Sequence, residues 1–344
     1  MKKKSVILFF SLLILLAMAV FFYTIYKKIK AENVTETTYI YIPTNADFTV
    51  VTQLLEPYLK NKESFTWIAN KKNYPNKVRP GKFKITGGMS NEELVNHLRG
   101  GSPETVNVTF NNQDTPEKLA GRIAEQIEAD STAVLNIIND SSFWKENGFT
   151  PLTGFSMYIP NSYEFYWNTS AEQFRTRMLK EYRTFWNADR LGKAGKLKLS
   201  PQEVSTLASI VQKETSTVQE RPVVAGLYLN RLRDNWPLQA DPTIIYALRQ
   251  KFGQDTTIKR VLIKDLNIDS PYNTYKRTGL PPGPIAMPDI SSIDAVLNPA
   301  KHDYFYMCAS VDRMGEHEFT GNLRQHNINA AKYQAWISKQ GIQR

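Results

Sequence analysis

Apolar and polar positions fall in blocks along this 344-residue chain, and the blocks predict its elements. The first block is unbroken: Ser5 to Tyr26 (SVILFFSLLILLAMAVFFYTIY) carries no charge. About 20 apolar residues are needed for a helix to cross the hydrocarbon core of a bilayer, and this run supplies them. Lys2, Lys3 and Lys4 precede it, Lys27, Lys28 and Lys30 follow it, and Tyr23 and Tyr26 stand where an interfacial aromatic belt would lie. A signal peptide cut after Ala17-Met18-Ala19 is the rival reading. Against it, the apolar run continues through Val20, Phe21 and Phe22, longer than a cleaved segment usually is. Residues 1–30 are therefore expected to be a tail and single-pass anchor. Charge does not orient it, because both flanks are basic.

Beyond residue 31 the pattern is that of a soluble protein. Residues 37–43 (TTYIYIP) alternate and are β-branched or aromatic, which predicts a strand; Lys82 to Thr86 (KFKIT), after Pro80-Gly81, predicts a second. Between them Val50, Val51, Leu54, Leu55 and Tyr58 recur at helical spacing over Asp47 to Leu59. Ser90 and Glu93 form a capping box that opens a short helix, ended by Gly100-Gly101. These elements make a small α/β unit whose boundary falls near residues 105–110. Val106 to Phe110 reads as a strand, and Thr115-Pro116-Glu117 starts a helix with an apolar stripe at Leu119, Ile123 and Ile127. Helical patterns then dominate to about residue 250. A Pro-rich aromatic stretch occupies 270–290, a strand-like run covers Tyr304 to Cys308, and a helix is expected near 325–339.

Composition adds limits. Lys+Arg total 43 against 33 Asp+Glu, a net charge of +10. That suits an anionic partner, whether nucleic acid, anionic lipid or an acidic polymer, or reflects only a basic surface. No basic block beyond the N-terminal lysines resembles a nucleic-acid arm, so no nucleic-acid partner is expected. The lone Cys308 excludes an internal disulfide and a cysteine metal cluster. The four histidines, His97, His302, His317 and His326, form no HExxH pair; His317 and His326 could be ligands, though structural hydrogen bonding explains them as well. No phosphate-binding loop, dinucleotide fingerprint or complete nucleophile elbow occurs, so neither a cofactor nor a metal is expected.

The segment Ser200 to Leu232 is the most informative. Ser200, Pro201 and Glu203 make a strong helix start, and Val204, Leu207, Ala208 and Val211 follow at helical spacing. The same rotation puts Glu214 on the edge of that stripe, where partial desolvation would raise its pKa toward that of a general acid. The alternative is that the stripe ends at Val211 and Glu214 is a solvated helix-end residue, paired with Arg221. Further on, Asp241 is a good N-cap before Pro242, or else faces a cleft with Gln239 to bind sugar hydroxyls. Ser270 to Tyr275 and Gly279 to Ile285 form one Pro-stiffened loop. Its Tyr272, Asn273, Thr274 and Tyr275 would suit gripping a sugar, or would simply pack.

These residues resemble the YceG-like (MltG) family of endolytic murein transglycosylases. The resemblance is carried by Leu207 to Thr215 (LASIVQKET), Leu238 to Thr243 (LQADPT), Ser270 to Tyr275, Gly279 to Ile285, Gly315-x-His317-x-Phe319 and His326-Asn327. It covers nearly the whole chain. It departs from the commoner pattern at Gln212, where a second Glu is frequent, and at Thr153-Gly154, where an acidic-Gly pair is usual. The resemblance implies an α+β fold: the anchor over 1–30, a small LysM-like α/β subdomain over 31–108, and a larger, mostly helical α+β catalytic domain over 109–344. It implies a lyase that cuts the MurNAc–GlcNAc bond of nascent glycan strands to leave 1,6-anhydroMurNAc ends, with Glu214 as its catalytic residue. Gln239, Asp241, Tyr272, Asn273, Thr274 and Tyr275 are the expected sugar-binding residues. The partners implied are peptidoglycan strands, the cell membrane and the peptidoglycan synthases of elongation or division, with the catalytic region outside the cytoplasm. A non-catalytic peptidoglycan-binding scaffold and a lysozyme-type muramidase are the rivals.

Overall fold

The structure is a computed structural model and describes residues 2–258 and 260–339. Cα packing divides the chain into two compact units: Met1–Val108 with Glu125–Ala129 and Tyr163–Ser170, and Thr109–Ala124 with Asp130–Ser162 and Ala171–Arg344.

The first unit opens with α1 (Lys2–Lys30), whose stretch from Val6 is long and apolar enough to span a membrane and is not buried against the protein. Then come β1 (Thr38–Ile42), α2 (Phe48–Leu55), α3 (Lys62–Lys71), β2 (Gly81–Ile85) and α4 (Asn91–Gly100). β1 and β2 pair antiparallel, with Ile40 opposite Phe83. Alternation turns Ile40, Ile42, Phe83 and Ile85 to one face, where Val51, Leu55, Phe65, Leu94 and Leu98 of the helices cover them. Asp47 caps α2, and Ser90 and Glu93 close the capping box of α4. α3 was not among the elements expected from the pattern. It starts at an Asn61 N-cap and buries only Phe65, Ile68 and Ala69, a stripe too short to stand out among its charged neighbours. Gly81 has φ +130°, and a Cβ there would lie 2.7 Å from Pro103, so the Pro80-Gly81 turn requires glycine. The end of α1 is tied down by Asn91, whose Nδ2 donates to the Lys28 carbonyl at 2.8 Å.

After β3 (Thr105–Phe110), the second unit holds α5 (Pro116–Ala124), α6 (Ser131–Ile138) and α7 (Ser141–Glu146). α5 ends before Ile127, so that residue, though buried, is not part of its stripe. β4 (Asn161–Tyr166), a strand the hydrophobic pattern did not announce, pairs with β3. α8 (Ala171–Phe185), α9 (Ala188–Leu197), α10 (Pro201–Glu214), α11 (Arg221–Arg233), α12 (Asp241–Phe252) and α13 (Ile290–Leu297) follow. Last come β5 (Tyr306–Ala309), β6 (His317–Thr320) and α14 (Leu323–Lys339), which packs on that antiparallel pair. α10 is the central element, touching α9, α11, α12 and α13. Its start is the expected capping box: Ser200 N donates to Glu203 Oε2 at 2.8 Å, and Glu203 N to Ser200 Oγ at 3.2 Å. Every residue from Val204 to Gln212 is buried. Ser205 and Ser209 survive there because their hydroxyls donate to carbonyls within the helix, and Ser209 also accepts Ile285 N at 3.0 Å.

Gly226 shows how close α11 lies to the chain before β5. A Cβ there would meet the Ala300 carbonyl oxygen at 2.5 Å, whereas one on Gly192, exposed in α9, would meet nothing within 4 Å. Helix propensity alone favours alanine at both by about 1 kcal/mol, but overpacking costs about 1–3 kcal/mol. Gly192→Ala is therefore expected to raise the thermal unfolding midpoint and Gly226→Ala to lower it, as read by circular dichroism.

Candidate active site

Glu214 is the last residue of α10, and its surroundings decide its chemistry. The residue keeps some surface, but its carboxyl faces inward. Tyr228, fully buried on α11, donates its Oη to Glu214 Oε1 at 2.6 Å. Burial pushes the Glu214 carboxyl up to about 7; the Tyr228 hydrogen bond and the nearby His317 and Arg231 oppose the rise, and Asp241 adds to it. Burial and the Glu214 charge hold the Tyr228 phenol well above its ordinary range, so it remains a donor. The alternative in which Glu214 is solvated and paired with Arg221 does not hold: Arg221 reaches Asp289 at 3.2 Å and Ser291 at 2.6 Å instead.

Arg231 lies three residues after Tyr228 and so on the same face of α11. It is 7% exposed, and its Nε and Nη2 donate to the Phe305 carbonyl at 2.9 and 2.5 Å, its Nη1 to the Leu238 carbonyl. Among the described residues no carboxylate lies within ion-pairing distance of it. Its charge therefore stays available to the site while its hydrogen bonds fix its place. Sequence patterning missed both residues. The available signal was a Tyr and an Arg one turn apart inside a helix that is otherwise apolar on most sides.

The expected sugar-binding residues separate into two groups. Asp241 and Tyr275 lie close enough to Glu214 to interact with it electrostatically, and Gln239, two residues before Asp241, is exposed. Asp241 is not the N-cap of α12: that position is Ala240, and the Asp241 Oδ1 accepts from Tyr275 Oη at 2.6 Å. Burial and this bond hold the Tyr275 phenol far above its usual range. Gln239 is exposed in a left-handed conformation, φ +50°, and its N donates to the Thr274 carbonyl at 2.9 Å. Tyr272, Asn273 and Thr274 are buried and already committed. Asn273 Nδ2 donates to the carbonyls of Leu266 at 3.0 Å and Ile268 at 2.7 Å, while its Oδ1 accepts Tyr275 N at 3.0 Å. Thr274 Oγ1 accepts Ala240 N at 3.0 Å and bonds the Thr243 hydroxyl at 2.8 Å. Tyr272 stacks obliquely on Tyr246, ring centres 4.6 Å apart. Buried polar groups are satisfied by such bonds, and this set holds the loop in place rather than facing a ligand.

Gln212 has a clear task. Its Oε1 accepts Asp289 N and, at 3.3 Å, the Ser292 hydroxyl, closing the start of α13. A carboxylate would accept the same bonds, so the departure from the commoner Glu is chemically mild. Thr153 likewise closes a local turn, its Oγ1 accepting Thr150 N at 2.9 Å. His317, at the start of β6, donates its backbone N to Glu220 Oε1 at 2.6 Å, and its Nδ1 lies 2.9 Å from Glu220 Oε2. Burial would raise the Glu220 carboxyl, but these bonds outweigh it and hold it below its ordinary range. Among the described residues no three His, Cys, Asp or Glu converge on one point.

The model of the YceG-like family matches residues 40–332. The endolytic murein transglycosylase of Bacillus subtilis is 30% identical over 316 residues, covering 86% of this chain and 84% of the relative. That of Streptococcus pneumoniae is 28% identical over 303 residues, 78% of this chain, and this chain spans 53% of that longer relative. A solved structure described as a yceG-like protein, from Listeria monocytogenes, superposes with TM-score 0.56 and 28% identity, covering 85% of this chain and 98% of that one.

The buried carboxyl has a measurable cost. Its folded pKa lies above its unfolded value, so the folded state binds the extra proton, and stability falls as pH rises from about 4.5 to about 7. The cost is absent below that window and complete above it. Glu214→Gln should match the wild type in unfolding midpoint near pH 4.5 and exceed it by several degrees at pH 8.

Proposed function

The chain belongs to the YceG-like family, and from that premise we propose that it is an endolytic murein transglycosylase, a lyase acting on peptidoglycan, in which Glu214 carries the reaction's proton. The observation that supports this assignment is the Glu214 carboxyl itself, pushed up to about 7 by burial and bonded by Tyr228 at 2.6 Å. A carboxyl with that pKa is half protonated near neutrality, and general acids work best when their pKa lies near the operating pH.

In the first step neutral Glu214 donates its proton to the oxygen between N-acetylmuramic acid and N-acetylglucosamine. The C1–O bond breaks, and an oxocarbenium-like muramyl centre forms. The Glu214 carboxylate left behind keeps the Tyr228 hydrogen bond and lies near Arg231, so its charge is offset inside the site. In the second step it takes the proton of the muramyl C6 hydroxyl, whose oxygen attacks C1. The product is a 1,6-anhydro end, and no water is consumed. Each step leaves Glu214 in the protonation state the next requires, so one carboxyl suffices where ordinary glycosidases use two. Asp241, Tyr275 and Gln239 would hold the sugar, and the buried Tyr272, Asn273 and Thr274 would hold them. Fixed geometry matters because the attack is intramolecular.

The apolar α1 would anchor the chain in the cell membrane with the catalytic unit on the extracytoplasmic side, beside the synthases that extend nascent strands. The β-α-α-β order of the first unit supports reading residues 31–108 as LysM-like.

Purified full-length protein in detergent should release products one water lighter than reducing-end fragments, as read by mass spectrometry. Glu214→Gln should release none. Reducing ends would point to a muramidase, and unchanged action by the variant to a scaffold. Because the protonated form starts the reaction, kcat/KM should fall about tenfold per pH unit above pH 7. Tyr228 favours the ionised form, so Tyr228→Phe should move that limb to higher pH and lower kcat about tenfold, a loss of about 1.4 kcal/mol.

A further inference from the structure

A polar cavity is built on the same helices as the site, and the reaction above gives it no role. Its volume is about 300 Å³, at the lower bound for a small-ligand pocket. Asp114, Lys213, Tyr246, Arg249, Gln254 and Ile285 line it. Its charges are unevenly matched. Asp114 is already held by Lys213, with Nζ 2.7 Å from Oδ1, and by Lys118 at 4.0 Å from Oδ2. Arg249 acts on Asp114 only through its field, helping to lower that carboxyl; its Nε is buried without an acceptor, and its guanidinium donates no hydrogen bond among the described residues. A buried donor left unpaired costs about 1–3 kcal/mol. A guanidinium at the wall of a cavity whose one carboxylate is already paired with lysine can take a further anion, and its planar fork matches a carboxylate.

The cavity's position relates it to the reaction. Lys213 immediately precedes Glu214 on α10, and Pro242, also in the cavity wall, immediately follows Asp241 on α12. Neighbouring Cα atoms are about 3.8 Å apart, and adjacent helical side chains diverge by about 100°. The cavity thus shares α10 and α12 with Glu214 and Asp241 but opens on another flank of those two helices. A muramyl residue placed with its C1 at Glu214 differs from N-acetylglucosamine in one respect. Its C3 oxygen carries a lactyl group, and from this hangs a peptide that bears carboxylates.

We propose that this cavity binds a carboxylate of the peptide stem on the muramyl residue being cut, with Arg249 as the group that recognises it. The site would then read more than glycan: it would favour strands whose stems are present and ionised. The proposal rests on Glu214 being the reacting carboxyl.

The test uses the full-length chain in detergent and two ligands, a disaccharide–peptide fragment of peptidoglycan and the same fragment with its stem carboxylates amidated. Calorimetry on the Glu214→Gln protein, which leaves the ligand intact, should find the acid form bound about tenfold more tightly than the amide. Adding Arg249→Gln should abolish that preference by weakening only the acid form, and Arg249→Lys should retain part of it. Unfolding midpoints of the variants, measured alongside, guard against misfolding. Equal binding of the two forms, binding of neither, or a preference that survives Arg249→Gln overturns the proposal. Failure of the underlying reading is seen separately: it is cleavage that persists when Glu214 alone is replaced.

Discussion

The structure turns on a carboxyl taken out of water. Burial alone drives Glu214 toward neutrality; one hydrogen bond from Tyr228 and the nearby His317 and Arg231 pull it back. Neither influence is extreme, and their balance leaves the group near its midpoint at neutral pH. A fully buried, unpaired carboxyl would hold its proton too strongly, and a solvated one would have none to give at pH 7. The central position of α10 follows from the same need. Enclosed by α9, α11, α12 and α13, that helix ends on a side chain that is desolvated and held in place.

Rigidity on the opposite wall comes from polar groups that never meet solvent. Asn273 spends its amide on two carbonyls and a backbone N–H, and Thr274 joins Ala240 to Thr243. These bonds tie the loop before Gly279 to the start of α12, so Tyr275 and Asp241 meet at 2.6 Å. The residues that look most suited to a ligand are thus the frame that positions Tyr275 and Asp241. Arg231 follows the same logic. Carbonyl oxygens satisfy its hydrogen bonds without cancelling its charge, which a carboxylate partner would have done.

How much of this could be read from the chain depended on how local each cause is. Caps are local: Ser200 with Glu203, and Ser90 with Glu93, lie within four residues of each other, and both boxes are formed. The anchor's length and the strands around Ile40 and Phe83 are equally local, being properties of composition and alternation. α3 escaped because its apolar stripe is three residues deep, and β4 because only Tyr163 and Phe165 of its six residues turn inward. Asp241 had the sequence of an N-cap, but Tyr275, 34 positions away, claims its carboxylate.

The sequence by itself therefore determined where the helices begin, that one segment can span a bilayer, and that Glu214 stands at the margin of an apolar stripe. It could not determine which side of that margin the carboxyl falls on. Desolvation depends on what packs against the end of α10, and Tyr228, Arg231, Asp241 and His317 arrive there from α11, α12 and β6. Those approaches exist only once the chain has folded, so the pKa of Glu214, and with it the chemistry, belongs to the tertiary structure.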